Sequence, residues 1–214
     1  MKVRQSLYLF LFIAAASLSA CGGDMAVNKT IRVEDGETRQ GDVSTVNGDV
    51  IVGNDCTIRG DCQSVNGEIE IGERCKVDDV SCVNGRITVG EGSALRGDAS
   101  TVNGRISLAG AEVGGEVSTV NGDIRLNDSR VKRNIETVNG DIILRQQSVV
   151  EGDIVIHDTH GPSKPKRQLT IRLEEGSVVE GDILVKDDNV EAVVYLSGES
   201  KVQGRIENAE VVKE

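Results

Sequence analysis

Apolar or small side chains return along this chain in pairs two residues apart, and the pairs begin about six residues apart. Val50/Val52 are followed by Cys56/Ile58 and Cys62/Ser64. Further on come Ile87/Val89, Ser93/Leu95 and Ala99/Thr101, then Ile106/Leu108, Ala111/Val113 and Val117/Thr119. Ile124/Leu126, Ser129/Val131 and Ile135/Thr137 keep the plan, as do Ile142/Leu144, Ser148/Val150 and Ile154/Ile156. Alternation by two over such short runs predicts strands, and the Gly, Asn and Asp residues between them predict turns. No stretch has helical periodicity. Three pairs fill 18 or 19 residues, and the tripeptide Val-Asn-Gly marks the interval. Its asparagines are Asn47, Asn66, Asn84, Asn103, Asn121 and Asn139. A fixed period of this kind means one supersecondary unit stacked on copies of itself. The pattern predicts an all-β, single-stranded parallel β-helix, a solenoid with three short sides and 18–19 residues per coil. About nine coils are countable over residues 30–212, which at roughly 4.8 Å per coil makes an array about 40 Å long.

Asn tolerates the left-handed backbone region and Gly favours it, so Asn-Gly is expected to turn the chain at each corner. Stacked one strand spacing apart, the six asparagines are expected to form an amide ladder. The plan is interrupted twice, at residues 157–168 and 186–191. Between and after the interruptions stacking resumes with Ile171/Leu173, Ser177/Val179 and Ile183/Val185, then Val194/Leu196, Ser200/Val202 and Ile206. Both insertions fall on one edge, as extra loops of repeat proteins commonly do.

The first twenty residues follow a different logic. Lys2 and Arg4 precede the apolar run Leu7–Ala16, which suits an export leader better than a membrane span. Leu18-Ser19-Ala20-Cys21 resembles a bacterial lipobox, which implies acylation of Cys21; a plain secretory leader cut near Ala20 is the alternative. Gly22, rather than Asp, after the cysteine favours the outer of two membranes by the same resemblance. The domain plan is therefore a leader at 1–20, a lipidated tether at 21–29 and the β-helix at 30–212. The membrane is the expected partner, through that N-terminal lipid. Net charge is −11, and loss of Lys2 and Arg4 leaves the mature chain more acidic. An acidic chain with no basic patch argues against a nucleic-acid partner. Tyr8, Phe10 and Phe12 depart with the leader, leaving Tyr195 as the mature chain's one aromatic residue. A narrow core of stacked aliphatic residues needs no more.

Leu169-Thr170-Ile171-Arg172-Leu173-Glu174-Glu175-Gly176-Ser177-Val178-Val179-Glu180-Gly181-Asp182-Ile183 resembles bactofilins. Val149-Val150-Glu151-Gly152-Asp153-Ile154 and Val202-Gln203-Gly204-Arg205-Ile206 carry the same phrase, with weaker copies at Arg59-Gly60-Asp61 and Arg96-Gly97-Asp98. The resemblance implies a right-handed three-sided β-helix and self-association. The Val-Asn-Gly corners look more like those of secreted bacterial repeat families called adhesin-like.

Candidate chemistry is sparse. Cys56 and Cys75 fall in one column, with Cys62 and Cys82 diagonal on the neighbouring side. An exported compartment leaves open both disulfides and four buried thiols. No Cys-x-x-Cys occurs, so a zinc site is not indicated. Asp42, Asp61, Asp79, Asp98 and Glu116, continued by Asp153 and Asp182 and interrupted by Asn134, align at one outward corner. They form either a row of turns or a stripe that collects Ca2+ or Mg2+; no other cofactor is indicated. His157, Asp158 and His160 occupy a Pro-broken loop and read as solvated. No Gly-x-Ser-x-Gly, phosphate loop or Ser/His/Asp set is present, so no enzyme is expected. The sequence thus supports a structural, self-associating envelope lipoprotein. Alternatives are an adhesin or binding module using the 157–168 and 186–191 loops and, less favoured, a solenoid polysaccharide lyase or hydrolase.

Overall fold

The computed structural model describes residues 23–158 and 167–214. The leader at 1–20, Cys21, and residues 159–166 with His160 lie outside them. Every regular element among the described residues is a strand, and no helix there is long and apolar enough to cross a membrane.

The strands form three parallel sheets, one per side of the coil, holding ten, ten and nine strands. The first sheet runs from Asp24–Ala26 to Ile206–Glu207, and the second from Ile31–Val33 to Ala209–Lys213. The third runs from Thr38–Gln40 to Lys201–Val202. Each strand pairs with its equivalent one coil on, so like faces like: Asn66 with Asn84, Ile87 with Ile106, Leu108 with Leu126. This is a parallel β-solenoid of about ten turns, at about 19 residues per coil.

The inward pairs build the core as columns. Ile69, Ile87, Ile106, Ile124, Ile142 and Ile171 stack along the second sheet, each 0–1% exposed. Val77, Leu95, Val113, Val131, Val150 and Val179 stack along the third. Each such side chain contributes about 1.5–3 kcal/mol by leaving water. One column of the first sheet is small and polar because it carries a second duty. Thr45 and Ser64 donate to the carbonyls of Lys29 and Gly48, both at 3.0 Å, and Thr101 and Thr119 to those of Gly85 and Gly104, both at 3.3 Å. Corner carbonyls that would otherwise lack partners are thereby satisfied.

The corners depart from expectation in one respect. None of the six Val-Asn-Gly asparagines has a left-handed backbone. Glycine is needed there for close approach: a Cβ on Gly104 would lie 1.8 Å from the Gly85 carbonyl oxygen, and one on Gly85 would lie 1.9 Å from that of Gly67. The left-handed residues stand mainly at the corner between the second and third sheets. There Gly36, Asp55, Arg74, Gly92, Gly110 and Asp128 follow one another coil by coil.

Two boundaries also move. The array begins at Asp24, inside the stretch read as tether, because Asp24–Ala26 pairs in parallel with Val43–Thr45. That adds a coil to the nine counted. The insertions are shorter than their sequence bounds, since Arg167 and Gln168 belong to the strand Arg167–Leu173, and Val190 and Glu191 to Val190–Leu196. These two lengthened strands pair over seven residues, Arg167 opposite Val190 through Leu173 opposite Leu196.

Candidate functional site

Chemistry-bearing side chains sit mostly at the corners, and the solenoid puts each in line with its equivalents. The asparagine ladder runs unbroken. Asn66 Nδ2 donates to Asn47 Oδ1 at 2.9 Å, and the links Asn84 to Asn66 and Asn103 to Asn84 are both 2.8 Å. Asn121 donates to Asn103 at 2.9 Å and Asn139 to Asn121 at 2.8 Å. Asn47 in turn donates to Asn28 at 2.7 Å, a seventh member that the tripeptide did not mark. Val27-Asn28-Lys29 carries the signal without its glycine, and Asn28 itself is left-handed.

Six of the acidic side chains at the corner before the first sheet, Asp42, Asp61, Asp79, Asp98, Asp153 and Asp182, are used between coils. Asp42 Oδ1 accepts the Asp61 amide at 3.0 Å, Asp61 that of Asp79 at 3.3 Å, and Asp79 that of Asp98 at 2.6 Å. Asp98 accepts the Glu116 amide at 2.7 Å. Asn134 does the same for Asp153 at 3.0 Å, so its amide keeps the pattern without a charge. Asp153 then accepts the Asp182 amide at 2.8 Å, and Asp182 that of Arg205 at 2.7 Å. Other corners repeat the device: Asp49 accepts the Glu68 amide at 2.9 Å, and Asp35 the Asn54 amide at 2.7 Å. Within the row, burial pushes the Asp61 carboxyl above its usual range. Burial, with Glu136 and Asp98 nearby, raises Glu116 to about 7. The Arg205 backbone amide and guanidinium hold Asp182 low. Among the described residues no three His, Cys, Asp or Glu side chains converge as metal ligands. What the row visibly does is tie coil to coil, from Asp42 to Glu116 and again from Asn134 to Arg205.

Cys56, Cys62, Cys75 and Cys82 are free and buried. Cys56 and Cys75 each direct Sγ at a backbone carbonyl 3.0 Å away, those of Glu34 and Gly53, while Cys82 reaches the Gly67 carbonyl at 3.2 Å. Burial pushes the Cys62 and Cys75 thiols up and raises Cys82 to about 11, which keeps all three protonated and unreactive at neutral pH.

His157 is not a solvated loop residue. Its amide donates to the Thr137 carbonyl at 2.8 Å, and Nε2 lies 2.7 Å from Glu136 Oε2. Burial pushes the Glu136 carboxyl up, but His157, Asn134 and Lys186 outweigh it and leave the group below its usual range. The shorter insertion closes on itself. Asp187, whose side chain is 0% exposed, accepts Arg167 Nη2 at 2.6 Å and the Asn189 amide at 2.9 Å. These bonds hold its carboxyl low against burial. Sequence reasoning missed this clamp. Tyr195 lies under the Arg172 guanidinium, 4.2 Å from the ring centroid. No family model matches the chain, and no curated protein or solved structure matches it, so its place among parallel β-solenoids rests on the three sheets themselves.

Proposed function

We propose that this protein is a lipid-anchored, non-enzymatic scaffold of the bacterial cell envelope, a rigid rod that rises from the outer membrane on acylated Cys21. The observation that carries this reading is the position of the first coil. Asp24 already pairs with Val43, so only Gly22 and Gly23 separate Cys21 from the first strand. An acyl anchor at that point sets the base of the rod at the bilayer with almost no slack. Met25 and Val27, which are 55% and 60% exposed, lie on this basal coil beside Lys29 and Arg32, a combination suited to a lipid headgroup layer.

Lipid labelling tests the proposal. Cells given a traceable palmitate should label the wild-type chain, which should sediment with outer membranes. Cys21→Ala should lose the label and leave that fraction. Wild-type protein found unlabelled in the soluble fraction would overturn the anchor. The binding-module alternative draws less support, because the 186–191 turn is fastened inward by Asp187 and does not stand free as a recognition loop.

A further inference from the structure

Val-Asn-Gly occurs six times, so the six asparagines start from the same local chemistry, with valine before and glycine after. In an Asn-Gly pair the side-chain amide is open to attack by the backbone, because glycine carries no side chain to shield the nitrogen that follows. The solenoid treats the six pairs unequally. For Asn47, Asn66, Asn84, Asn103 and Asn121, the side-chain oxygen accepts the amide of the next asparagine in the ladder. The glycine amides of these corners are engaged as well. Gly48, Gly67, Gly85, Gly104 and Gly122 donate to the carbonyls of Asn66, Asn84, Asn103, Asn121 and Asn139 at 2.8–3.1 Å.

Asn139 stands where this arrangement stops. Thr137 pairs with Ile156, and carrying that register two residues on brings Asp158 opposite Asn139. A carboxyl group has no amide hydrogen with which to continue the ladder. Among the described residues, nothing donates to Asn139 Oδ1 and nothing accepts the Gly140 amide. The same corner lacks a third bond. Thr45, Ser64, Thr101 and Thr119 each donate to a corner carbonyl one coil back. The Thr137 hydroxyl, on a residue 1% exposed, has no partner there. Water still reaches the corner, since Asn139 and Gly140 are only half-buried and Asp141 beyond them is exposed.

We infer that Asn139 is the residue at which this protein deamidates, and that the next coil holds the other five Asn-Gly pairs unreactive. The reaction needs only water. The Gly140 nitrogen gives up its proton to solvent base and attacks Asn139 Cγ. The new C–N bond closes a succinimide ring as the Cγ–Nδ2 bond breaks, and Nδ2 takes a proton and leaves as ammonia. Water then opens the ring at one of its two carbonyls, giving aspartate or, with the main chain rerouted through Cγ, isoaspartate. One water is consumed, one ammonia is released, and nothing is oxidised or reduced. A glycine amide that donates to the next coil cannot turn toward Cγ, so each of the five protected pairs must wait for that coil to open. Asn139 has to release only its bond to Asn121.

The damage has a direction. The new carboxyl group cannot donate to Asn121 Oδ1, and isoaspartate displaces the main-chain carbonyl that holds the Gly122 amide at 2.8 Å. Asn121 then becomes the open end of the ladder, and the next conversion falls there.

The chain starting at Gly22, which holds every described strand, is incubated folded at mildly alkaline pH and then digested in acid to stop the reaction. Mass spectrometry reads aspartate and isoaspartate at each Asn-Gly pair. Asn139 should convert first, at least about tenfold faster than any of the other five, because two fewer hydrogen bonds restrain it. Held unfolded in guanidinium chloride, the same chain should convert all six at similar rates, since the tripeptide is the same. Asn139→Gln should remove the early product and leave the other five slow. Asn139→Asp, which takes the ladder donor from Asn121, should make Asn121 the fastest of those that remain, with thermal melts verifying the fold. Another site ahead of Asn139 in the folded protein, or equal conversion at all six, would overturn the assignment. So would survival of Asn139 in the fold over a time that converts it in denaturant. An Asn121 no faster in Asn139→Asp than in the wild type would overturn the ladder as the restraint.

Discussion

Glu116 is a carboxyl group whose charge the fold disfavours. Its carboxyl rises from 4.5 to about 7, chiefly because it is buried, with Glu136 and Asp98 adding like charge. The folded state therefore binds the proton more tightly than the unfolded chain does. The stability this provides is complete below pH 4.5 and is lost as pH rises through 7. Glu116→Gln should raise stability at pH 8 by about 1–2 kcal/mol once solvent screening is allowed for, and change it little at pH 4. Urea unfolding of both proteins across that range checks the sign. Glu136 works in the opposite sense: its lowered pKa supports the fold above the ordinary carboxylate range, and that support fades on acidification. In the ladder, Asn103 joins Asn84 and Asn121, and Asn47 joins Asn28 and Asn66. Without Asn28, Asn47 would count as an end position. With it, Asn103→Ala and Asn47→Ala should each cost about 1–2 kcal/mol, and Asn139→Ala, with one ladder bond, about half as much. Thermal melts of the three variants give the ranking. Gly104→Ala should cost more than any of them, about 3 kcal/mol, because its methyl group meets a backbone carbonyl rather than a side chain that can move.

At the scale of the coil, much was legible because inward positions obey a period of two and corners obey a period near nineteen. Ile87, Leu108, Val131 and Ile154 are all buried where the alternation puts them. The first coil escaped notice because its corner has Lys29 where later coils have glycine, so only Val27-Asn28 advertises it. The use of each corner carboxylate was harder to see. Asp after Gly suggests a local turn, whereas Asp42 and its equivalents accept amides nineteen or so residues away, a relation that exists only once coils are stacked. The Asp187–Arg167 clamp was invisible for the same reason: its partners are 20 residues apart and join two strands lengthened beyond the repeat. Asp187→Ala leaves a largely buried guanidinium without its carboxylate and should cost about 3 kcal/mol. Hydrogen exchange should quicken across residues 167–171 and 190–194 while the earlier coils stay protected; uniform loss of protection would show that the clamp is not local.

At the scale of the whole rod, the ends remain unfinished. Asp24–Ala26 and Ile206–Glu207 are edge strands of the first sheet, and Ala209–Lys213 closes the second at one end. Among the described residues the exposed large apolar side chains are Met25, Val27 and Val211, all on these terminal coils. An open edge with apolar side chains invites weak end contacts, which the nearby Glu207, Glu210 and Glu214 temper. A chain starting at Gly22 should therefore show a modest rise in mass with concentration by sedimentation, and Val211→Lys should reduce it. A strictly constant mass for both would remove the ends from the assembly.

The coil-to-coil spacing has a kinetic consequence. Residues that face each other across neighbouring coils are separated by only 18 or 19 positions along most of the chain, as Asn47 and Asn66 are. Contacts this local are unusual for an all-parallel sheet, whose long-range pairings normally make folding slow. Around the longer insertion the separation grows to 29, as between Asp153 and Asp182, and the added loop closure costs only about 0.4 kcal/mol. The chain can therefore wind itself up from its N-terminus, each finished coil serving as the template for the next. A protein delivered across a membrane as an unfolded thread would then be folding while its last coils were still inside the cell.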